Sequence, residues 1–216
     1  MSRIVIFGAG GRAGRRAAEE AAARGHEVTA VVRDPGAHRG LVCDGVRVVA
    51  GDVTDATSVA TVAAGHDAAI TAAARLDVPA VDFYTAATGA LVSGLAKAGV
   101  PRLVLVGMGP VLEVAPGERL LDGPGFPAEH RTFALGHVVQ LDVLAAAPDL
   151  DWVVLAPPVV FLDELAARTG RYRTGGAQLL SPPGTDAPFS YADLAVALLD
   201  EVDAPRHHRA LVAVGP

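Results

Sequence analysis

Several things are scarce in this 216-residue chain, and each scarcity excludes a class of function. It has one cysteine, Cys43, so no internal disulfide can form, and a reducing compartment is expected. Cys43 itself reads as a small core or loop thiol. Positive charge is also short: 18 Lys and Arg against 24 Asp and Glu give a formal charge of −6. That argues against a nucleic-acid partner, because phosphate contact needs a concentrated basic surface. No apolar run reaches the roughly 18 residues of a membrane helix. The longest, Trp152 to Leu162, is broken by Pro157-Pro158. No secretory leader precedes the first apolar run, so a soluble, cytoplasmic protein is expected. His207-His208 has no matching cysteine or carboxylate cluster, which speaks against a metal site. Ser181 and Ser190 lack the strand–turn–helix setting of a serine nucleophile. No repeat and no low-complexity tail is present.

What remains is a folded composition, 51% hydrophobic and 19% charged, of a length that suits one domain. Apolar runs of strand length alternate with helical patterns, the signature of a parallel sheet covered on both faces. Strands are expected at Ile4–Phe7, Glu27–Arg33, Val46–Gly51, Asp67–Ala73, Arg102–Gly107, Asp151–Ala156 and Arg209–Val214. Helices are expected at Arg12–Arg24, Asp55–Ala64 (with Thr54 as cap), Pro79–Ala98, Ala128–Ala147 and Ser190–Val202. Ser190 and Asp193 have capping-box spacing. Met108 to Pro127 reads as a long Gly/Pro-rich loop, a solvated lid carrying Glu113, Glu118, Arg119 and Asp122. The fold class is therefore α/β: a doubly wound parallel sheet in one domain. Its core is 1–156, a small substrate-side subregion spans about 157–190, and a closing helix and strand span 190–214.

The opening stretch Ile4-Val5-Ile6-Phe7-Gly8-Ala9-Gly10-Gly11-Arg12-Ala13-Gly14 has the strand–tight turn–helix order of a dinucleotide site. Both Gly8-x-x-Gly11-x-x-Gly14 and Gly8-x-Gly10-x-x-Ala13 fit. Gly8 turns the chain off the strand, Gly10 or Gly11 admits a pyrophosphate, and Gly14 lets the helix pack closely. The helix N-terminus offers free N–H groups to the phosphates.

Ligands of such a sheet collect beyond the carboxyl ends of the strands. Arg33 ends the second strand, where an arginine suits a 2′-phosphate, so NADP(H) is favoured over NAD(H). Pairing with Asp34 or solvent is the plainer alternative. Arg12 offers a second cation, or simply an exposed side chain. Asp52 and Val53 can take an adenine amino group and cover its ring, or Asp52 can serve the next helix. Ala72, Ala73 and Ala74 give small backbone beside the cofactor. Gly107 and Met108 end the fifth strand, where nicotinamide and substrate should meet, with Gly109 beyond them.

A conventional alcohol dehydrogenase of this type needs a hydroxyl at that tip and a Tyr-x-x-x-Lys pair on the next helix. No Ser or Thr lies between Val106 and Val111, and the helix reads Phe133-Ala134-Leu135-Gly136-His137. His137 is the one proton-donor candidate, with Phe133 beside it in the pocket; a satisfied core histidine is the alternative. The helix is apolar nearly all round, with Asp142 its only charge between Arg131 and Asp149, and could face a second subunit in a homodimer.

These residues resemble the atypical short-chain dehydrogenase/reductase group, with its NmrA-like and NAD(P)H-flavin-reductase-like members. The carriers are the glycine turn, Val32-Arg33-Asp34-Pro35, Gly51-Asp52-Val53, Gly107-Met108-Gly109-Pro110, Leu150-Asp151-Trp152, Pro157-Pro158 and Ser190-Tyr191-Ala192-Asp193. The resemblance implies a Rossmann fold and an NAD(P)H-dependent reductase passing hydride to a flavin-like or other conjugated small-molecule acceptor, which takes its proton from solvent. In the biliverdin/flavin reductase branch, a serine follows strand five, a histidine lies on the next helix and another follows the double proline. Met108 or Gly109, His137 and Val159 stand at those places here, with Pro158 lining the pocket. The resemblance also allows a non-catalytic NADP(H) sensor with a protein partner, or an isomerase, epimerase or dehydratase.

Overall fold

The computed structural model describes residues 1–158, 162–181 and 188–216. In chain order the strands are β1 (Arg3–Phe7), β2 (Glu27–Val32), β3 (Val46–Ala50), β4 (Ala68–Thr71), β5 (Arg102–Val106), β6 (Glu113–Ala115), β7 (Glu118–Arg119), β8 (Asp151–Ala156), β9 (Arg173–Thr174) and β10 (Ala210–Gly215). The helices are α1 (Arg12–Ala23), α2 (Ala56–Ala63), α3 (Ala80–Ala98), α4 (Ala128–Ala145) and α5 (Tyr191–Asp203). Eight strands form one sheet in the order β3-β2-β1-β4-β5-β8-β10-β9. All neighbours are parallel except β9, which runs antiparallel on β10.

The alternation of side chains along a strand explains why the strands read as continuous apolar runs. Ile4 and Ile6 enter one core, with Ala17, Ala18 and Ala21 of α1 and Leu194, Ala197 and Leu198 of α5. Val5 and Phe7 enter the other, with Val59 of α2, Leu91 and Leu95 of α3 and Leu144 of α4. Both faces are covered, so both must be apolar. The start of α2 differs from expectation, while α5 begins at its expected cap. Asp55, not Thr54, caps α2, accepting from the Thr57 N–H at 2.8 Å. At α5 the Ser190 hydroxyl accepts from the Asp193 N–H at 2.9 Å. Asp193, however, turns its carboxylate to the N–H groups of Thr169 and Gly170 and so ties down the late loop.

The long segment after β5 is built, rather than a solvated lid. Two 3-10 turns and the β6–β7 hairpin, which reverses at Gly117 (φ 79°), fill it. Leu112 and Leu121 are buried. The Glu113 N–H donates to the Ala177 carbonyl at 2.8 Å, so the segment is tied to the subregion after β8. At the sheet's margins, β9 is two residues long, and β3 carries Arg47 at its second position.

Candidate functional site

Strand order reverses at β1, whose neighbours are β2 and β4, and this switch point opens a cleft of about 620 Å³ at the carboxyl ends. Gly8, Gly10, Gly11, Arg12, Ala13, Arg33, Asp52, Val53 and Ala72 to Ala74 line it together. Gly14 shapes it from behind.

Each glycine has a distinct job. Gly8 holds φ 74°, and a Cβ there would lie 2.6 Å from the Ala73 backbone, so β1 and β4 leave their tips in contact. A Cβ on Gly14 would lie 2.2 Å from the Gly8 carbonyl oxygen, which is how closely α1 sits on the turn. A Cβ on Gly10 would strike the His38 imidazole at 2.5 Å. Only Gly11 is open, with the Gly8 oxygen 3.5 Å away and nothing nearer. Gly11 is also the N-cap of α1, with no side chain capping it and no acid in the first turn. The N–H groups of that turn have no acceptor within the helix. An open glycine, uncapped N–H groups and small backbone at Ala72–Ala74 fit a dinucleotide pyrophosphate.

The charges agree. Asp34, the expected competitor for Arg33, instead accepts from the Gly36 N–H at 2.9 Å and caps the turn after β2. Arg33 is exposed and makes no ion pair among the described residues. Asp52 is the only acid lining the cleft among the described residues. Its Oδ1 accepts from the Thr54 N–H and hydroxyl at 2.8 and 2.7 Å. Those bonds, with Arg33 and Arg75 nearby, hold its carboxyl below the usual range. Arg75 pairs with Asp77 through Nε at 2.9 Å. Arg12 meets Glu164 at 3.1 Å, and the hydroxyl of Tyr191, together with that carboxylate, pushes its guanidinium further up.

Other candidates lie elsewhere. His137 is buried in α4, outside the cleft lining, its ring 4.2 Å from Tyr84 and 5.5 Å from Phe133, centroid to centroid. Nδ1 donates to the Gln140 side-chain oxygen at 3.1 Å, and burial pushes the imidazole down to about 4. At neutral pH it is uncharged and part of the aromatic packing. That packing reaches the cleft through Phe83, which stands edge-on to Tyr84, and through Val53 and Ala73, which pack on the same cluster. Gly107 prolongs the pairing with β8, donating to the Leu155 carbonyl at 2.7 Å, and a Cβ would strike Val154 at 2.5 Å. The chain therefore leaves β5 away from the cleft, and Met108 packs on Val111, Leu121 and Ala134. Gly109 is buried in the following 3-10 turn. Pro158 packs near Gly215, and Val159 lies outside the described residues.

Sequence reasoning missed His38 and Tyr191. His38 belongs to the loop after β2, and Tyr191 arrives from the first turn of α5, beside the cap Ser190. Strand-tip position alone does not reveal either. A second cavity of about 510 Å³ lies at the opposite end of β1–β3. Its polar groups satisfy one another: His66 Nδ1 donates to the Ala63 carbonyl, His66 Nε2 accepts from Thr29 at 2.7 Å, and Thr29 accepts from Arg47. Among the described residues no cluster could hold a metal ion, and no helix is long and apolar enough to cross a membrane.

A family model for NAD(P)H-binding proteins matches residues 8–205. The uncharacterized protein YwnB of Bacillus subtilis is 35% identical over 208 residues, 95% of this chain and 94% of that protein. A Burkholderia pseudomallei structure, described as an exported protein, is 37% identical at a TM-score of 0.87, with 100% of both chains covered. A proposed NADH-flavin reductase from Streptococcus pneumoniae is 28% identical at a TM-score of 0.86, covering 100% of this chain and 99% of that one.

Proposed function

The chain belongs to the NAD(P)H-binding family, and on that premise we propose that it is an NADP(H)-dependent reductase of a flavin-like or other conjugated small molecule. The observation that carries this reading is the cleft's composition. An open glycine turn and Arg33 stand beside apolar and small side chains. Among the described residues Arg33 makes no ion pair, and no tyrosine–lysine pair lines the cleft to serve a carbonyl substrate. A reduced nicotinamide supplies hydride, and a conjugated acceptor draws its proton from water. The protein's own part is to bind and orient. Gly11 and the first turn of α1 face the pyrophosphate, and Arg33 takes the 2′-phosphate. Asp52 and Val53 receive the adenine, and Ala72–Ala74 leave backbone room for the ribose. Phe83 gives an apolar wall. The likeness to a proposed NADH-flavin reductase supports the same chemistry. A cytoplasmic setting suits both a reduced cofactor and the exposed thiol of Cys43.

The test is oxidation of NADPH followed by absorbance, with FMN, FAD and quinones as acceptors, beside thermal-shift titrations of NADPH and NADH. Turnover and a larger shift with NADPH are expected; a larger shift with NADH refutes the role given to Arg33. The lack of a tyrosine–lysine pair among the described residues of the cleft also favours a second reading, a non-catalytic NADP(H)-responsive regulator. NADPH binding without turnover on any acceptor supports that one.

A further inference from the structure

His38 is the residue that neither the motif nor the strand tips explain. It sits in the Pro35–Leu41 turn, which is anchored at both ends: Asp34 caps it, and Leu41 is buried in the core. Within that turn His38 alone has non-helical backbone (φ −123°, ψ 28°). The break swings its imidazole out of the turn and onto the glycine loop. The ring lies where a Cβ on Gly10 would be, with Cε1, Nε2 and Nδ1 at 2.5, 2.7 and 3.0 Å from that point. Gly10, read from sequence as room for a pyrophosphate, is thus room for a histidine. No protein group takes a hydrogen bond from either ring nitrogen among the described residues, and the ring lines the cleft with Arg33.

We propose that His38 is a specificity-determining ligand of NADP(H), acting with Arg33 as the second donor to the 2′-phosphate. The inference rests on the cofactor reading above and deepens it. The 2′-phosphate is assigned on position. His38 and Arg33 leave the same strand, β2, six and one residues beyond its end at Val32. Both line the cleft, with the imidazole lying over Gly10, whereas Gly11 at the start of α1 stays open for the pyrophosphate. An N–H of the imidazole adds direction to the charge that Arg33 supplies, and a phosphate dianion has acceptors for both.

The test is isothermal titration of wild type, H38A, H38Q and R33A with NADPH, NADH, adenosine 2′,5′-bisphosphate and 5′-AMP. H38A and R33A should each weaken NADPH and the bisphosphate about tenfold while changing NADH and 5′-AMP by less than about twofold. H38Q, which keeps a donor, should recover part of the loss. If H38A weakens NADPH and NADH alike, the ring serves the shared part of the cofactor, and the proposal is overturned. It is overturned too if H38A changes nothing while R33A abolishes the preference, in which case the reading of Arg33 stands. Wild type without any preference for NADPH refutes both. Circular dichroism on each variant, expected unchanged for an exposed turn, separates loss of contact from loss of fold.

Discussion

Replacing Gly14 by alanine separates the two duties that the glycine turn combines. The added methyl would sit 2.2 Å from the Gly8 carbonyl oxygen, 2.7 Å from its carbon and 2.8 Å from Ala9 Cα. All three are backbone atoms in the turn beneath α1, so no side chain can rotate away. Carbon–oxygen contacts settle near 3.5 Å, so α1 must lift by roughly 1 Å. That movement loosens Ala17, Ala18 and Ala21, which have no longer side chain to follow the gap. Overpacking of this kind costs about 1–3 kcal/mol, and with backbone on both sides the upper end applies. Alanine returns about 1 kcal/mol of helix propensity. The net loss is then about 2 kcal/mol, or a fall in Tm of about 4–8 °C for a chain of this size. Gly11→Ala is the contrast: its methyl meets only the Gly8 oxygen, at 3.5 Å, but fills the open face of the turn. Loss of a preferred N-cap residue should cost it only about 0.5–1 kcal/mol, while NADPH affinity falls by at least about tenfold. Thermal denaturation and NADPH titration of both variants check this. Equal Tm for Gly14→Ala and wild type would refute the close-packing argument, and unchanged affinity in Gly11→Ala would refute the phosphate-facing role.

Other expectations follow from the same contacts. His137, depressed from 6.5 to about 4 by burial, is neutral when folded, whereas the unfolded chain protonates it below about pH 6.5. Its contribution is therefore complete above that pH and declines as pH falls towards 4, by up to about 3 kcal/mol. Urea melts of wild type and His137→Gln over that range should converge as the pH drops. Leu121→Ala should cost about 2–4 kcal/mol in denaturant melts, since Leu121 is fully buried, whereas a solvated lid would tolerate it. Arg102 and Glu201 form a buried pair at 2.9 Å. Glu201→Ala removes one of the two carboxylates that meet the guanidinium, leaving Asp151 at 3.0 Å, and should cost about 1.5–3 kcal/mol; Glu201→Gln, keeping an acceptor, should cost less by the same assay.

Much of this was legible because it depends on local rules. Ile4 to Phe7 had to be a strand covered on both faces, and Gly8 and Gly14 had to be small, since a turn and a helix cannot meet otherwise. Arg33 was legible as a strand-tip cation, and Asp34's use as a cap frees it. Other features depend on which way the chain leaves an element, and periodicity does not encode that. Gly107 ends β5 as expected, but its bond to Leu155 carries the chain towards α4, so Met108 enters a core cluster instead of the cleft. His137 falls on the stripe that packs on Tyr84 and not on one facing ligand. The β6–β7 hairpin is too short for alternation to declare itself. Gly10 and Gly11 are indistinguishable as letters; only the return of the His38 loop separates them.

The sheet's two margins bear on solubility. An unpaired strand edge is a template for another chain, and this protein blunts each edge differently. At one side β9 is too short to recruit a partner. At the other, β3 reads Val-Arg-Val-Val-Ala, and Arg47 is all that keeps it from being an uninterrupted apolar β-former. Its guanidinium donates to Thr29 at 2.9 Å, so the charge is held beside the strand rather than left to swing free. Arg47→Val should leave the secondary structure intact yet raise light scattering and thioflavin binding on storage. A single tethered cation thus serves this α/β domain as a guard against self-association.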